Sequence, residues 1–276
     1  IVTRLRESYG DFVLAARKVG IEFIQPAMTL IKWNEQHGED GRMAAIPSPE
    51  ELPFVPLPRS LTEQKALVEQ MNAQYRDHVR NRVQPFLKRI QRCRTQLVLV
   101  DVLRILRNGV DAYNDTSQCI AEILRAYHDA WRPFRGIQQV LFAATKADHA
   151  TKNYRANMTR LLDELVFKSK GHIKSGIPIA SSEWFTSLRS TQEALMEDEK
   201  GPVEVLKGML IGSSEQQAYS PGIVPSEWPE DEEWTFETPK FRFPEWQPRR
   251  MPKKDGSILP HMNLDKVIWK ILEPCF

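Results

Sequence analysis

The run Val140-Leu141-Phe142-Ala143-Ala144 is apolar without alternation and breaks abruptly into Thr145-Lys146-Ala147-Asp148, a hydroxyl, a cation and a carboxylate within four residues. A continuous apolar run bounded this sharply suits a β-strand covered on both faces, as in a parallel sheet flanked by helices. Ligands of such sheets gather beyond the carboxyl ends of the strands. The run therefore predicts a layer architecture and the place where Thr145, Lys146 and Asp148 act. A second apolar run, residues 97–103, precedes it. Between the two, residues 111–130 carry Tyr113, Ile120, Ile123, Leu124 and Tyr127 at helical spacing, completing a strand, helix, strand unit. Residues 157–167 are again apolar at helical spacing, and Ile177-Pro178-Ile179-Ala180 leads on to Phe185-Thr186-Ser187-Leu188-Arg189-Ser190.

The spacing Thr-Lys-x-Asp resembles the base-recognition motif of P-loop GTPases, which is usually Asn-Lys-x-Asp. The chemistry suits guanine. A carboxylate only accepts hydrogen bonds, and guanine's Watson–Crick edge offers N1–H and N2–H2 as neighbouring donors, whereas adenine presents an acceptor at N1. Lys146 could lay its methylene stem over the base, and Thr145 would tie loop to loop. The competing reading is ordinary loop chemistry, with Asp148 or Thr151 capping the next helix. Ser187, Leu188 and Arg189 resemble the Ser-Ala-Lys-type loop whose backbone N–H groups meet the guanine O6.

Taken in order, Gly20-Ile21-Glu22-Phe23-Ile24-Gln25-Pro26, Leu99-Val100-Asp101-Val102-Leu103, residues 141–149, Ser187-Leu188-Arg189-Ser190-Thr191-Gln192, Tyr219-Ser220-Pro221-Gly222 and residues 259–265 resemble the YcjX-like family of P-loop NTPases. The resemblance implies an α/β fold, a P-loop GTPase-like parallel sheet flanked by helices with a mainly helical insertion. It also implies binding of GTP or GDP with Mg2+, slow hydrolysis, and a stress-associated bacterial role. Thr145, Lys146 and Asp148 would read the base and the backbone of Ser187, Leu188 and Arg189 would complete the pocket. One departure stands out. No Gly-x-x-x-x-Gly-Lys-Ser/Thr loop and no Asp-Tyr-Pro-Gly-like switch occurs in the 276 residues. Both are expected before Ile1, with the Mg2+ ligands outside this chain. The alternative is a non-catalytic GTPase-like scaffold that docks on a larger assembly.

Composition bounds the partners. With 38 Lys and Arg against 36 Asp and Glu, bulk charge favours neither nucleic acid nor membrane. Three scattered cysteines, Cys93, Cys119 and Cys275, suit a reducing compartment, bacterial cytoplasm or mitochondrial matrix. No apolar run approaches the roughly 20 residues of a membrane span. His128 and His149 read as packing or surface residues. Asp101, near the end of its strand, reads as a helix-terminus residue within reach of the phosphate side.

Three regions are expected: a mainly helical insertion over 1–94 with a proline-rich surface excursion at 33–59, a GTPase-like core over 95–195, and a second insertion over 196–276. In the first, residues 3–19 read as a helix, and Ser60-Leu61-Thr62-Glu63 as a capping box. The box opens a long helix striped by Leu67, Met71, Tyr75, Val79, Val83, Phe86 and Ile90, which Pro85 kinks or restarts. Its other face carries Arg76, Arg80, Lys88, Arg89 and Arg92, a solvated face or a dock for an acidic or nucleic-acid-containing partner. In the last region, Val203-Glu204-Val205-Leu206 and Met209-Leu210-Ile211 suggest a strand pair. The proline-rich stretch 220–260, with Trp228, Trp234 and Trp246, suggests an extended strap or a partner-binding arm. Asn263 is expected to cap a closing helix.

Overall fold

A computed structural model of the chain describes residues 2–19, 21, 54–57, 59–61, 63–130, 136–171, 178–198, 201–230, 234–235, 240–248 and 260–276. The chain divides into two compact units, Ile1–Arg92 and Cys93–Phe276.

In the first unit, α1 (Val2–Lys18) and α2 (Lys65–His78) are helices, and Val2, Leu5, Tyr9 and Leu67 pack on buried Phe54, Val55 and Met71. Most of the proline-rich 33–59 lies outside the described residues, but Phe54 and Val55 at its end belong to the core, not to a surface excursion. The start of α2 is also corrected. Residues Arg59–Leu61 form a 3-10 turn, and α2 begins only at Lys65, with Gln64 at the cap position and no side-chain cap bond. Pro85 stands where a second helix starts, one of the two expected outcomes: a π-helical turn, Val79–Val83, leads into α3 (Gln84–Ile90), where proline sits in the first turn, the position that needs no intrahelical N–H. Arg76, Arg80, Lys88, Arg89 and Arg92 are exposed, the arrangement of a solvated face.

In the second unit the apolar runs become β1 (Thr95–Val100), β2 (Gln139–Ala144) and, after Pro178, β3 (Ile179–Trp184), parallel and ordered β1-β2-β3. This is the α/β class expected. Alternation along β2 divides its side chains between two layers. Val140, Phe142 and Ala144 face the larger core with helices α4 (Val102–Asn108), α5 (Val110–Ala130) and α6 (Arg155–Lys170), while Leu141 and Ala143 face α7 (Leu264–Leu272) through Val267, Leu264 and Ile271. All five β2 residues from Val140 to Ala144 are fully buried, which is why the run shows no polar alternation.

Several details differ from expectation. Residues 102 and 103 leave the strand: Asp101 Oδ1 accepts the Arg104 N–H at 3.1 Å and starts α4, a helix not expected from the sequence. Gly109, at φ 87°, then turns the chain into α5, a conformation that favours glycine. Residues 203–211 are not two strands. They lie largely in one, β5 (Gly201–Met209), between antiparallel partners β4 (Gln192–Asp198) and β6 (Gln216–Tyr219). Asn263 stands at the start of α7 without capping it; its Nδ2 donates instead to the Trp184 carbonyl at 2.7 Å, tying α7 to β3.

Trp234 and Trp246 are buried and Trp228 is half-buried. Trp234 Nε1 donates to the Leu106 carbonyl and Trp228 Nε1 to that of Leu161, each at 2.8 Å, while both rings pack with Tyr113. The described tryptophan-rich segment is thus held against α4, α5 and α6 of its own unit.

Candidate functional site

Thr145, Lys146 and Asp148 follow β2 directly, and the parallel order brings them beside the segment that follows β3. Phe185 N–H donates to the Ala144 carbonyl and Ala147 N–H to that of Phe185, so the two loops are stitched together at the carboxyl end of the sheet. Thr145 reaches the other neighbour: its N–H and its hydroxyl both donate to the Val100 carbonyl of β1, at 2.9 and 3.4 Å.

Asp148 is 1% exposed. Its Oδ1 accepts the Thr186 hydroxyl at 2.9 Å, and its Oδ2 accepts the N–H groups of Ser190 and Thr191 at 2.6 and 3.2 Å. The backbone is fastened as well. Asp148 N–H donates to Thr186 Oγ1 at 3.0 Å, and the Thr191 hydroxyl donates to the Asp148 carbonyl. A carboxylate has about four acceptor positions, and three of them here serve the 186–191 loop. The carboxylate therefore acts as a clamp between the two loops. Neither Asp148 nor Thr151 makes a helix-capping bond: α6 starts at Arg155 after a short 3-10 turn, and the Thr151 hydroxyl is buried with no hydrogen-bond partner among the described residues.

Lys146 takes a left-handed backbone conformation, φ 58°, and its half-exposed Nζ lies 2.8 Å from Asp101 Oδ2. Asp101 thus serves twice, capping α4 through Oδ1 and holding the lysine through Oδ2. Ser187 is exposed and Leu188 and Arg189 are half-buried. Arg189 N–H donates to the Pro260 carbonyl at 2.8 Å, while the N–H groups of Ser187 and Leu188 have no backbone partner among the described residues.

Four contributors were not read as site residues from the sequence. Thr186, Ser190 and Thr191 are recognisable only once the loop has folded onto Asp148. Arg155 is buried: its Nε donates to the Ala147 carbonyl at 2.9 Å, its guanidinium pairs with Glu193, and it lies over the Trp184 ring at 5.7 Å. It braces the 145–148 loop against β4. His149, read as packing or surface, is buried with Nε2 4.0 Å from Asp148 Oδ1. Burial pushes its imidazole below the usual histidine range, against the opposing pull of the Asp148 carboxylate. Among the described residues no group of three His, Cys, Asp or Glu side chains is placed to hold a metal ion, and no helix is long and apolar enough to cross a membrane.

Comparison with known proteins follows the same outline. The model of the YcjX-like family, DUF463, matches residues 1–274, and the chain belongs to that family. It is similar to the Ras-like GTPase YcjX of Escherichia coli (strain K12), 26% identical over 278 residues that cover 95% of this chain and 56% of the relative. The Ras-like GTPase YcjX of Shewanella oneidensis is 24% identical over 209 residues, covering 72% of this chain and 42% of that protein. The chain spans about half the length of the curated relatives it matches.

Proposed function

We propose, from membership of the YcjX-like family and the geometry around Asp148, that this chain is the base-reading part of a guanine-nucleotide-binding, GTPase-like protein. The observation that carries the reading is the buried Asp148 carboxylate, held at the carboxyl end of a parallel sheet by the loop that follows the next strand. Guanine offers two adjacent donors to such a group. For both carboxylate oxygens to meet them, the Ser190 and Thr191 N–H groups must release Oδ2, while Thr186 can keep its bond to Oδ1. The carboxylate would then exchange backbone donors for base donors, and the Ser187 and Leu188 amides would be available for the base's O6 acceptor. Lys146 supplies an apolar stem for the ring, with Asp101 holding its ammonium.

Bound GTP or GDP would bring phosphates that need a cradle of backbone N–H groups and a magnesium ion. The 276 residues contain no such loop, so the proposal assigns phosphate and Mg2+ chemistry, and any hydrolysis, to sequence outside residues 1–276. A second reading is favoured by the three donors that already occupy the Asp148 carboxylate: a GTPase-like scaffold in which the carboxylate is only a clamp and the protein works by interaction.

One titration separates the two. In a protein that joins this chain to a phosphate-binding region, GDP should bind more tightly than ADP, and Asp148→Asn should weaken GDP by roughly tenfold or more, the loss of one charge-assisted donor pair. Equal affinity for guanine and adenine nucleotides would sink the guanine assignment and leave the scaffold.

A further inference from the structure

The N–H of Ser190 donates to Asp148, and its carbonyl lies against Gly208: a Cβ added there would lie 2.9 Å from that oxygen and 2.8 Å from the Trp246 ring. Ser190 and Gly208 line a cavity of about 600 Å³, within the size range of small-molecule sites. It forms at one end of the antiparallel sheet. Gln192 opens β4, Gly208 and Met209 close β5, and Gln216, paired with Met209, opens β6. Gln247 and Pro248 complete the lining, held there by the Gln247 N–H bond to the Met209 carbonyl at 2.7 Å.

Its chemistry is distinctive. Three carboxamides, Gln192, Gln216 and Gln247, come from three separate segments, and no described lining residue carries a charge. A carboxamide sets a donor beside an acceptor, the complement of an edge with an adjacent acceptor and donor, as on adenine at N7 and N6. Met209 and Pro248 offer apolar surface to the faces of a flat ring. Beside the cavity, the buried Trp246 indole N–H has no hydrogen-bond partner among the described residues.

We propose that this cavity binds a neutral, adenine-type nucleobase or nucleoside, at a site whose lining includes neither Asp148 nor Lys146. The selection is the reverse of that at Asp148, where a carboxylate disfavours adenine. The proposal does not rest on the guanine reading.

Adenosine is the probe. With the full 276-residue chain, saturation-transfer NMR and calorimetry at about 1 mM adenosine, a concentration suited to a weak site, should detect binding. N6,N6-Dimethyladenosine keeps the ring and its acceptors but removes the N6 donor, and should bind more weakly. Gln216→Leu and Gln247→Leu should each weaken adenosine by roughly tenfold, the discrimination of one two-point amide contact. Thermal melts check that each variant is folded, and either one suffices. Lys146→Ala, outside the cavity lining, should leave adenosine binding as it was. Absence of binding by the parent chain, equal binding by folded glutamine variants, or loss of binding in Lys146→Ala would each overturn the proposal. Failure of the guanine titration would leave it standing.

Discussion

Replacing Asp148 tests the clamp directly. In Asp148→Ala the N–H groups of Ser190 and Thr191 and the Thr186 hydroxyl lose their acceptor in a site that is 1% exposed. The hydroxyl can rotate to another partner; the two amides cannot. An orphaned buried donor costs about 1–3 kcal/mol, and some charge-assisted bonding to Thr186 is also lost, so the alanine variant should lose about 3–6 kcal/mol. Asp148→Asn keeps an oxygen for the two amides and turns its NH2 toward the Thr186 hydroxyl, which can accept. Charge assistance is lost but geometry is kept, so the cost should be about 1–3 kcal/mol. Against a typical domain stability of about 5–15 kcal/mol, both are measurable. Urea unfolding followed by tryptophan fluorescence is the assay, because six of the seven tryptophans belong to the unit that holds Asp148. The clamp would also make Thr186→Val and Asp148→Asn less than additive. If alanine and asparagine cost the same, or if either changes stability by under about 0.5 kcal/mol, the size of an ordinary surface substitution, Asp148 is not the clamp described.

Other perturbations test separate parts of the structure. Trp234→Ala removes a buried ring and its bond to Leu106, and should cost about 3–5 kcal/mol in the same assay; unchanged stability would mean the tryptophan segment does not pack as described. Gly208→Ala pushes a methyl group to 2.8 Å from the Trp246 ring and 2.9 Å from the Ser190 carbonyl, so an overpacking cost of about 1–3 kcal/mol is expected, and a neutral melt would contradict the close approach. His149 has a pH signature. Its folded-state pKa lies below the unfolded value near 6.5, so the unfolded chain takes up the proton first and stability falls as pH drops below about 6.5. His149→Gln should remove that part of the acid slope, and an unchanged slope between about pH 6.5 and 5 would refute it.

The amino-acid sequence determined the layer architecture, because a run as apolar as 140–144 has few places to go other than a strand with a helix layer on each face. It also determined where the site would lie, since Thr145, Lys146 and Asp148 follow that strand within four residues and local chain connectivity fixes them at its carboxyl end. Helices with a full amphipathic stripe, α1 and α5 among them, were legible for the same reason: their pattern is local. Helix starts were less so. Asp101 and Ser60 both look like caps, yet among the described residues only Asp101 captures an amide, and α2 begins at Lys65 instead, with Leu67 packed on Phe54, Val55 and Met71. The tertiary structure alone decided the occupation of Asp148. Its partners Thr186, Ser190 and Thr191 lie 38 to 43 residues away, and nothing in their own spacing marks them as donors to it. Arg155 and His149 were hidden likewise. A buried cation or imidazole is stabilised by the particular carbonyls, carboxylates and rings that close around it, and those neighbours exist only after the strands have taken their order.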